Sequence, residues 1–367
     1  MQKIVYIIST LKKAGPVNVL LDLVSNLDRT KYKPYIITLS KETETSQKES
    51  FQQLNLQIIC LNLSRYSSVF LGPFKLKHII NKIKPDLIHT NCFRSNILVV
   101  TALRKYKTLA SIHCDFTEDF PLRYGKFIGF LACKINIFAI KRISKKICVS
   151  KILANILGEK FPKLRFFAVD NGINMLKFCL PKDKLSLKKK LHLPFDKKIF
   201  IWCGSFINRK NPLLLVESIK QFKNDNCFFI FCGARGILFE QAKNELKNYK
   251  NVLFAEYLNN FVEYLQASDF YISTSLSEGF HLTVYESMAC GVPVILPKID
   301  VYNKIFENNM ALTYCLSDVK TLTKCLEDSL RLDYKICRDN SIIFVKKYFS
   351  AQVMTKNYQK FYEDILK

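Results

Sequence analysis

Two glutamates, Glu278 and Glu286, lie eight positions apart on either side of a predicted strand-to-helix turn. They lie in "STSLSEGFHLTVYESMACGVPVI", residues 273–295, where a β-rich run leads through a Gly-Phe turn into a helical pattern. Gly291 is placed to end that helix, and Pro293 prevents it from continuing. The sequence therefore predicts one carboxylate just before a helix N-terminus and a second about two turns into the helix.

The start of that helix is itself a predicted anion site. Its first backbone amides have no partner within the helix and lie at the positive end of the helix dipole. A carboxylate beside bound phosphate would be repelled, so we expect Glu278 to face an uncharged, hydroxyl-rich group such as a sugar. Glu286 could accept hydrogen bonds from two ribose hydroxyls. The alternative is that Glu278 is an N-terminal helix charge and Glu286 a solvated one. The residues expected to offer these amides are Gly279, Phe280, His281 and Leu282.

A second cluster, "WCGSFINRKNP" (202–212), combines a strand end with two cations. Gly204 closes the apolar run, and Arg209 and Lys210 follow just before a predicted helix. At this position the two side chains could neutralise a diphosphate leaving group without a metal ion. A basic pair on the surface is the alternative interpretation.

Short apolar runs alternate with helical patterns along the whole chain, which predicts βαβ units and a doubly wound parallel sheet in each half. Ligands of such sheets bind beyond the carboxyl ends of the strands. We predict domains at 1–177 and 178–347, with a C-terminal helix at about 348–367 packing back on the first. The predicted strands are 3–8, 32–40, 85–91, 108–115, 145–150, 166–174, 198–205, 227–234, 252–257, 270–275 and 292–297.

The net charge of +25 is unevenly distributed, since residues 1–177 carry +18 of it. Such a half favours an anionic partner, either nucleic acid or the anionic cytoplasmic membrane leaflet, although a Lys-rich composition alone would also raise the charge. Residues 121–147 hold seven basic residues and no acid. That segment is too short and too charged to span a bilayer, and it predicts either a helix lying at a membrane interface or a buried helix with a basic end. No basic patch with interleaved aromatics could be located, so we expect no nucleic-acid partner.

Several other classes of protein are disfavoured. The N-terminal run lacks the features of a signal peptide, and the thirteen cysteines show no C-x-x-C pair. We therefore expect reduced thiols and a cytoplasmic protein, peripheral on the inner face of the cytoplasmic membrane. Asp-x-Asp, G-x-G-x-x-G and G-x4-G-K-[ST] patterns are absent from the sequence, so neither a metal cofactor nor a nicotinamide or ATP site is predicted.

The order Gly204-x5-Lys210, then Ser-x-x-Glu278-Gly-Phe-x-Leu-x3-Glu286-x-Met-Ala-Cys-Gly-x-Pro-Val-Ile, resembles retaining glycosyltransferases of family 4. The segments "AGPVNVLLDL", "SIHCDFTEDF", "VSKILAN" and "VDNGIN" extend the resemblance over nearly the whole chain. It implies the GT-B fold, in which two Rossmann-like domains face a central cleft, and it favours the bacterial surface-polysaccharide type.

The resemblance also implies roles for individual residues. Glu278 would contact the donor sugar, Glu286 the ribose, and Arg209 and Lys210 the diphosphate. The family often has Arg directly after the strand-ending glycine, where this chain has Ser205, so Arg209 would take its place. His281 stands where the family frequently has a second glycine, and its imidazole would help to shape the sugar pocket.

In the first domain the resemblance implies a smaller set of residues. Gly15 would allow close backbone approach to the donor phosphates. His113 would lie by the donor sugar and the acceptor, although a lone histidine is also an ordinary buried residue. Glu118 and Asp119 would either order the acceptor or cap a helix, and Arg94, together with His89, would point weakly at the same cleft.

Together these features predict transfer of a sugar, with retention, from a nucleotide-diphosphate sugar to a hydroxyl of a lipid-linked, lipopolysaccharide or capsule glycan. One alternative is a sugar-nucleotide epimerase or hydrolase of the same fold. The other is a non-catalytic basic module that binds membrane or nucleic acid, and the intact Glu278, Glu286 and Lys210 argue against it.

Overall fold

Parallel strands form the two sheets of the protein, one of seven strands and one of six. The computed structural model describes residues 1–64, 66–256, 258, 260–308, 310–331 and 334–367. In these residues the chain forms two units. Unit 1 comprises Met1–Gly172 and Ala351–Lys367, and unit 2 comprises Ile173–Ser350.

Unit 1 alternates strands with helices. Its strands are β1 Gln2–Ile8, β2 Tyr32–Thr38, β3 Gln57–Cys60, β4 Leu87–Thr90, β5 Thr108–Ile112, β6 Lys145–Cys148 and β7 Phe166–Ala168, in the order β3-β2-β1-β4-β5-β6-β7. Its first eight helices are α1 Gly15–Ser25, α2 Lys48–Gln52, α3 Ser67–Phe70, α4 Gly72–Ile83, α5 Phe93–Ala102, α6 Phe116–Tyr124, α7 Lys126–Arg142 and α8 Lys151–Lys160.

Unit 2 repeats the pattern. Its strands are β8 Lys198–Cys203, β9 Cys227–Cys232, β10 Val252–Ala255, β11 Phe270–Ile272, β12 Val294–Pro297 and β13 Ala311–Tyr314, in the order β10-β9-β8-β11-β12-β13. Its helices are α9 Lys184–Lys190, α10 Pro212–Phe222, α11 Phe239–Glu245, α12 Phe261–Ala267, α13 Leu282–Ala289, α14 Asn303–Phe306, α15 Val319–Ser329 and α16 Tyr334–Tyr348, with 3-10 turns at Asn208–Lys210 and Asp300–Tyr302. The last helix, α17 Ala351–Leu366, belongs to unit 1.

The central strands read as continuous apolar runs because neighbouring strands and helices cover them on every side. Residues 4–8 of β1 are all buried, as are residues 199–202 of β8. A strand buried on both faces has no polar side to alternate with, which is why "IVYII" and "IFIW" carry no period of two. Such runs made the interior strands visible in the sequence.

The sequence prediction missed two strands, β3 and β13. Both lie at the edge of a sheet, both are four residues long, and most of their residues are only half-buried. Edge strands pair on one side and are often short, so their hydrophobic signal is weak. The predicted strand at 252–257 appears as β10, and Tyr257 lies outside the described residues.

Each sheet reverses its strand order once. In unit 1 the reversal lies between β1 and β4, and in unit 2 between β8 and β11. The chain leaves the two central strands toward opposite sides at such a point, so the loops that follow them open a crevice where ligands bind. In unit 1 these loops touch, since Ser9 Oγ donates to Cys92 Sγ at 3.2 Å.

A buried chain of hydrogen bonds attaches α17 to the sheet of unit 1. The Tyr362 hydroxyl lies 3.1 Å from the Tyr6 hydroxyl and 2.9 Å from Nδ1 of His89. The other ring nitrogen of His89 lies 2.7 Å from Ser111 Oγ, which lies 2.8 Å from the Tyr358 hydroxyl. Because all these groups are buried, each depends on its protein partner to replace water.

This network corrects the prediction that His89 points at a ligand cleft. His89 is fully buried, and burial lowers the pKa of its imidazole to about 3. It is therefore a neutral residue of the core that connects β4 to the C-terminal helix. The sequence did not reveal this role because its partner Tyr362 lies 273 residues further along the chain.

We expect Tyr362→Phe to destabilise the protein, because it leaves His89 Nδ1 and the Tyr6 hydroxyl without the partner they share. A lost buried hydrogen bond costs about 1–3 kcal/mol. Tyr348→Phe is the control, since the Tyr348 side chain is 49% exposed. Urea unfolding followed by circular dichroism measures both variants, and equal midpoints for the two would contradict the structural role of the network.

Candidate functional site

The loops after β8 and β11 are joined to each other at the strand reversal of unit 2. The Leu276 amide donates to the Arg209 carbonyl at 2.8 Å, and the Thr274 hydroxyl donates to the Lys210 carbonyl at 2.7 Å. Trp202 at the end of β8 donates its indole N–H to the same Thr274 hydroxyl at 2.8 Å. These bonds fix the backbone that carries Arg209 and Lys210 against the loop that carries Glu278.

Local backbone geometry directs the two cations. Asn208–Lys210 form a 3-10 turn, and Asn211 adopts a left-handed conformation (φ 47°) before Pro212 begins α10. Asn tolerates that conformation better than most residues, and Pro suits the first turn of a helix. The "NRKNP" sequence therefore ends the loop sharply and leaves both basic side chains beside the β11 loop.

Glu278 is a buried carboxylate held between those two cations. Its Oε1 accepts from Lys210 Nζ at 2.5 Å, and its Oε2 accepts from Arg209 Nη1 at 2.9 Å. Its side chain is 8% exposed, whereas that of Arg209 is 35% exposed. Burial by itself would raise the pKa of Glu278, but the charges of Lys210 and Arg209 hold that pKa well below its usual range. The group is an anion, neutralised by two neighbours.

The His281 imidazole supports the Glu278 loop from inside unit 2. Its Nε2 lies 3.1 Å from the Tyr271 hydroxyl, and its Nδ1 lies 2.6 Å from the Tyr302 hydroxyl and 3.9 Å from Glu278 Oε1. Burial, with the nearby charge of Lys210, lowers the pKa of His281 to about 3. A neutral imidazole therefore stands where the resembled family frequently has a glycine. Its partners Tyr271 and Tyr302 were not recognised from the sequence.

Helix α13 begins directly after this loop, with His281 as its N-cap residue. Gly279 and Phe280 precede the helix, and Leu282 is its first residue. The Phe280 ring packs on the Tyr285 ring with centroids 4.7 Å apart, which stabilises the turn. Helix α13 has eight residues. Its first-turn amides and the positive end of its dipole lie at its N-terminus, which follows Glu278 in the sequence.

Glu286 lies within α13 and is 9% exposed. The alternative that it is a solvated helix charge is therefore wrong. At the other end of the helix, Gly291 has φ +69°, the left-handed conformation that ends many helices.

A close approach of two backbones beneath Lys210 was not predicted. Gly233 follows β9 with φ +133°, and a Cβ there would overlap the carbonyl oxygen of Gly204. A Cβ on Gly204 itself would lie 3.2 Å from the Trp202 ring and 3.4 Å from Lys210 Cδ. Position 233 therefore requires glycine, whereas position 204 is tightly packed against side chains. The Gly-x-x-Gly pattern of "CGARG", at the end of a predicted strand, was the signal in the sequence that could have indicated this close backbone approach.

In unit 1, His113 follows β5 and Gly15 begins α1 after the β1 loop. Within the part of the chain that the structure describes, His113 Nε2 is buried and has no hydrogen-bond partner. Burial lowers the pKa of His113 to about 4, so its imidazole is neutral. A buried polar atom without a partner is costly and is a common feature of ligand sites.

The three weaker candidates of unit 1 lie in the first turns of two helices, Arg94 in α5 and Glu118 and Asp119 in α6. Asp115, not Glu118 or Asp119, caps α6 by accepting from the Thr117 amide at 2.9 Å. Glu118 and Asp119 lie in the first turn of that helix, and Glu118 pairs with Lys160 at 3.3 Å. Arg94 donates to Ser40 Oγ at 2.7 Å.

Metal-ligand clusters and membrane-spanning helices are both absent from the described residues. Among the residues that the structure describes, no three His, Cys, Asp or Glu side chains group together in a way that could hold a metal ion. No helix within the described ranges combines the length and apolar character needed to cross a membrane.

Comparison with known proteins agrees with the fold and with the resemblance. A family model described as Glycosyltransferase Family 4 matches residues 14–175, and one described as Glycosyl transferases group 1 matches residues 183–332. Among solved structures, a glycosyltransferase from Rickettsia africae has a TM-score of 0.80 at 19% identity, covering 100% of this chain and 99% of that one. Anabaena HepE, solved with UDP and glucose, has a TM-score of 0.82 at 15% identity, covering 99% and 100%.

Curated relatives agree as well. The O-antigen biosynthesis glycosyltransferase WclY of Escherichia coli is 27% identical over 100% of this chain and 99% of its own. The UDP-Gal:alpha-D-GlcNAc-diphosphoundecaprenol alpha-1,3-galactosyltransferase of Escherichia coli is 24% identical over 80% of each chain. The predicted family and fold are thereby confirmed: the chain belongs to glycosyltransferase family 4, has the two-domain GT-B fold, and is a glycosyltransferase.

Proposed function

We propose that the protein transfers a sugar, with retention, from a nucleoside-diphosphate sugar to a hydroxyl of a lipid-linked glycan. The observation that carries this proposal is the buried Glu278 held by Lys210 and Arg209 at the strand reversal of unit 2. HepE, which shares the fold, binds UDP and glucose, and one relative acts on a diphosphoundecaprenol-linked sugar. These likenesses support the donor and acceptor classes.

The donor diphosphate would exchange partners with Glu278. Lys210 and Arg209 now bond the carboxylate, and an incoming diphosphate offers them more negative charge at the same place. The first-turn amides of α13 add uncharged donors to the same anion. The family often has an arginine where this chain has the uncharged Ser205. Arg209, whose Nη1 lies 2.9 Å from Glu278 Oε2, would bind the diphosphate in its place.

The two glutamates would then divide the rest of the donor. Glu278 would accept hydrogen bonds from hydroxyls of the sugar, and its charge would stabilise the positive character that develops on the sugar ring in the transition state. Glu286, one to two turns along α13, would accept hydrogen bonds from the ribose hydroxyls. These bonds would contribute equally to the ground state and to the transition state.

In the reaction, the bond between the anomeric carbon and the diphosphate oxygen breaks while the acceptor hydroxyl attacks from the same face. The acceptor proton passes to the departing diphosphate oxygen, whose increasing charge is stabilised by Lys210 and Arg209. No protein nucleophile is required by this scheme, and the configuration at the anomeric carbon is retained.

Unit 1 is proposed to bind the acceptor, which agrees with its large positive charge. His113 offers a buried, neutral Nε2 to a substrate hydroxyl. A lipid-linked acceptor lies in a membrane, so we further propose that the protein works at the inner face of the cytoplasmic membrane, peripheral to it.

Substitution of the two glutamates should separate their roles. Glu278→Gln should lower kcat by about 100-fold or more, because it removes a charge that acts in the transition state. Glu286→Gln should mainly raise the donor KM, by about 1–2 kcal/mol of binding, because the amide still offers one acceptor. Lys210→Ala should resemble Glu278→Gln. Steady-state kinetics with the true donor measure all three variants.

Glu245→Gln is the matched control for loss of an ion pair. Glu245 lies in α11 of the same unit and accepts from Lys220 at 2.5 Å, away from the strand reversal. Its kinetic constants should equal those of the wild type. A Glu278→Gln enzyme that turns over at the wild-type rate, with Glu286→Gln inactive at saturating donor, would reverse the assignment.

Transfer should survive EDTA, because Arg209, Lys210 and the helix amides are proposed to neutralise the leaving group. The assay compares rates after EDTA treatment with rates after re-addition of Mg²⁺ or Mn²⁺. Loss of activity that only the added metal restores would refute metal-independent transfer.

A further inference from the structure

An extended apolar surface lies on the helices of unit 1. On α7 and the end of α6, large apolar side chains are exposed at helical spacing, with Phe127 81% exposed. A second group surrounds α3 and the start of α4, with Phe74 76% exposed. Exposed apolar side chains clustered in this way usually mark an interaction site. We call the two groups together the apolar face. Its members on α6 and α7 include Leu122, Phe127, Ile128, Phe130, Leu131 and Phe138, and those near α3 and α4 are Tyr66, Phe70, Leu71 and Phe74.

A groove opens in this face between α5 and α7. It has a volume of about 430 Å³, within the range of small-molecule sites. Its polar groups are few. The Thr101 hydroxyl is satisfied by the carbonyls of Ile97 and Leu98, at 2.9 and 3.1 Å. The Lys134 ammonium lies over the Phe130 ring, 4.5 Å from its centroid. The lining residues are Ile97, Val100, Thr101, Lys134, Ile135, Phe138 and Ala139.

The charge around the groove identifies the kind of occupant. Residues 50–85, which include α3 and α4, contain no Asp or Glu, and neither do residues 120–158, which include α7. Two copies of such a face would repel each other, which disfavours a second chain as the partner. An anionic surface with a hydrocarbon interior matches both the charge and the apolar side chains.

The cations are arranged as they would be at a lipid headgroup region. The Arg142 guanidinium lies 3.6 Å from the centroid of the Phe138 ring, much as Lys134 lies over Phe130. Long basic side chains can reach toward phosphates while the rings beneath them enter the hydrocarbon. The face therefore supports a helix α7 that lies in the membrane plane.

The helices that form the face are tightly joined. Gly125, between α6 and α7, has φ +82°, and a Cβ on Gly129 would overlap the backbone of Phe120 and Pro121. The two helices therefore meet backbone to backbone, and a substitution at either glycine would disturb their packing. Helix α7, which forms one side of the groove, is thus held against α6 by backbone packing.

We propose that the groove between α5 and α7 takes up one acyl chain of an anionic phospholipid when the apolar face docks on a bilayer. This inference rests on the membrane location proposed above and adds its residues and its ligand. The aromatic side chains of the face enter the interface, the basic side chains contact phosphates, and one chain bends into the groove along Ile135 and Phe138.

The test uses the full chain and vesicles of phosphatidylglycerol and phosphatidylcholine, with a diazirine placed midway along the phosphatidylglycerol acyl chain. After photolysis, peptides that contain residues 97–101 and 134–139 should carry the crosslinked lipid. Thr101→Phe should fill the groove and reduce those crosslinks about fivefold or more, while vesicle sedimentation stays at the wild-type level.

Phe138→Glu should reduce sedimentation with anionic vesicles about tenfold, since it removes an inserted ring and adds a repelled charge. Leu185→Glu is the matched control, because Leu185 is an exposed apolar residue of unit 2, and it should bind vesicles like the wild type. Donor binding should be unchanged in all three variants, so a failure of the membrane inference is distinguishable from a failure of the proposed transfer.

Three results would overturn the inference. Crosslinks confined to the exposed rings, without the groove peptides, would show that no chain enters the groove. Equal sedimentation with pure phosphatidylcholine vesicles would remove the role of anionic lipid. Sedimentation of Phe138→Glu at the wild-type level would remove the role of the apolar face.

Discussion

The burial of one carboxylate determines how the loops at the strand reversal of unit 2 are built. Glu278 is nearly inaccessible, and a buried charge without a partner costs several kcal/mol, so its loop is stable only where cations meet it. Lys210 and Arg209 supply them from a different strand end. The neutral His281, held by Tyr271 and Tyr302, lies 3.9 Å from the same carboxylate. The ion cluster thus couples the two loops, and in our proposal its two cations exchange the carboxylate for the donor diphosphate.

The sheet topology explains why these groups meet. Unit 2 reverses its strand order between β8 and β11, and the loops that follow these strands are the ones that carry Lys210 and Glu278. Gly233 lies against the carbonyl oxygen of Gly204, so the two backbones approach more closely than a side chain at position 233 would permit. Unit 1 repeats the same strand order around β1 and β4 but is distinguished by its positive charge and its apolar helices. A shared architecture therefore serves two kinds of surface chemistry.

Much of this organisation could be predicted from the sequence, and the exceptions have physical causes. Interior strands such as β1 and β8 were visible because burial on both faces removes polar positions, whereas the half-buried edge strands β3 and β13 left little signal. The spacing of Glu278 and Glu286 was visible within one segment of the sequence. The pairing of Glu278 with Lys210 and Arg209 was not, because it joins positions 68 and 69 residues apart. His89 was misjudged because its partner Tyr362 lies at the far end of the chain. A contact between residues so far apart in the chain produces no local periodicity in the sequence.

The affinity for the nucleoside diphosphate of the true donor tests the central claim most directly. If Glu278 is the counterion that the diphosphate displaces, calorimetry should show tighter binding of that nucleotide to Glu278→Gln than to the wild type, because the competing carboxylate is gone. Glu245→Gln should bind it as the wild type does. Weaker binding to Glu278→Gln than to the wild type would contradict the exchange and would mean that Lys210 and Arg209 hold Glu278 for the sake of the fold alone.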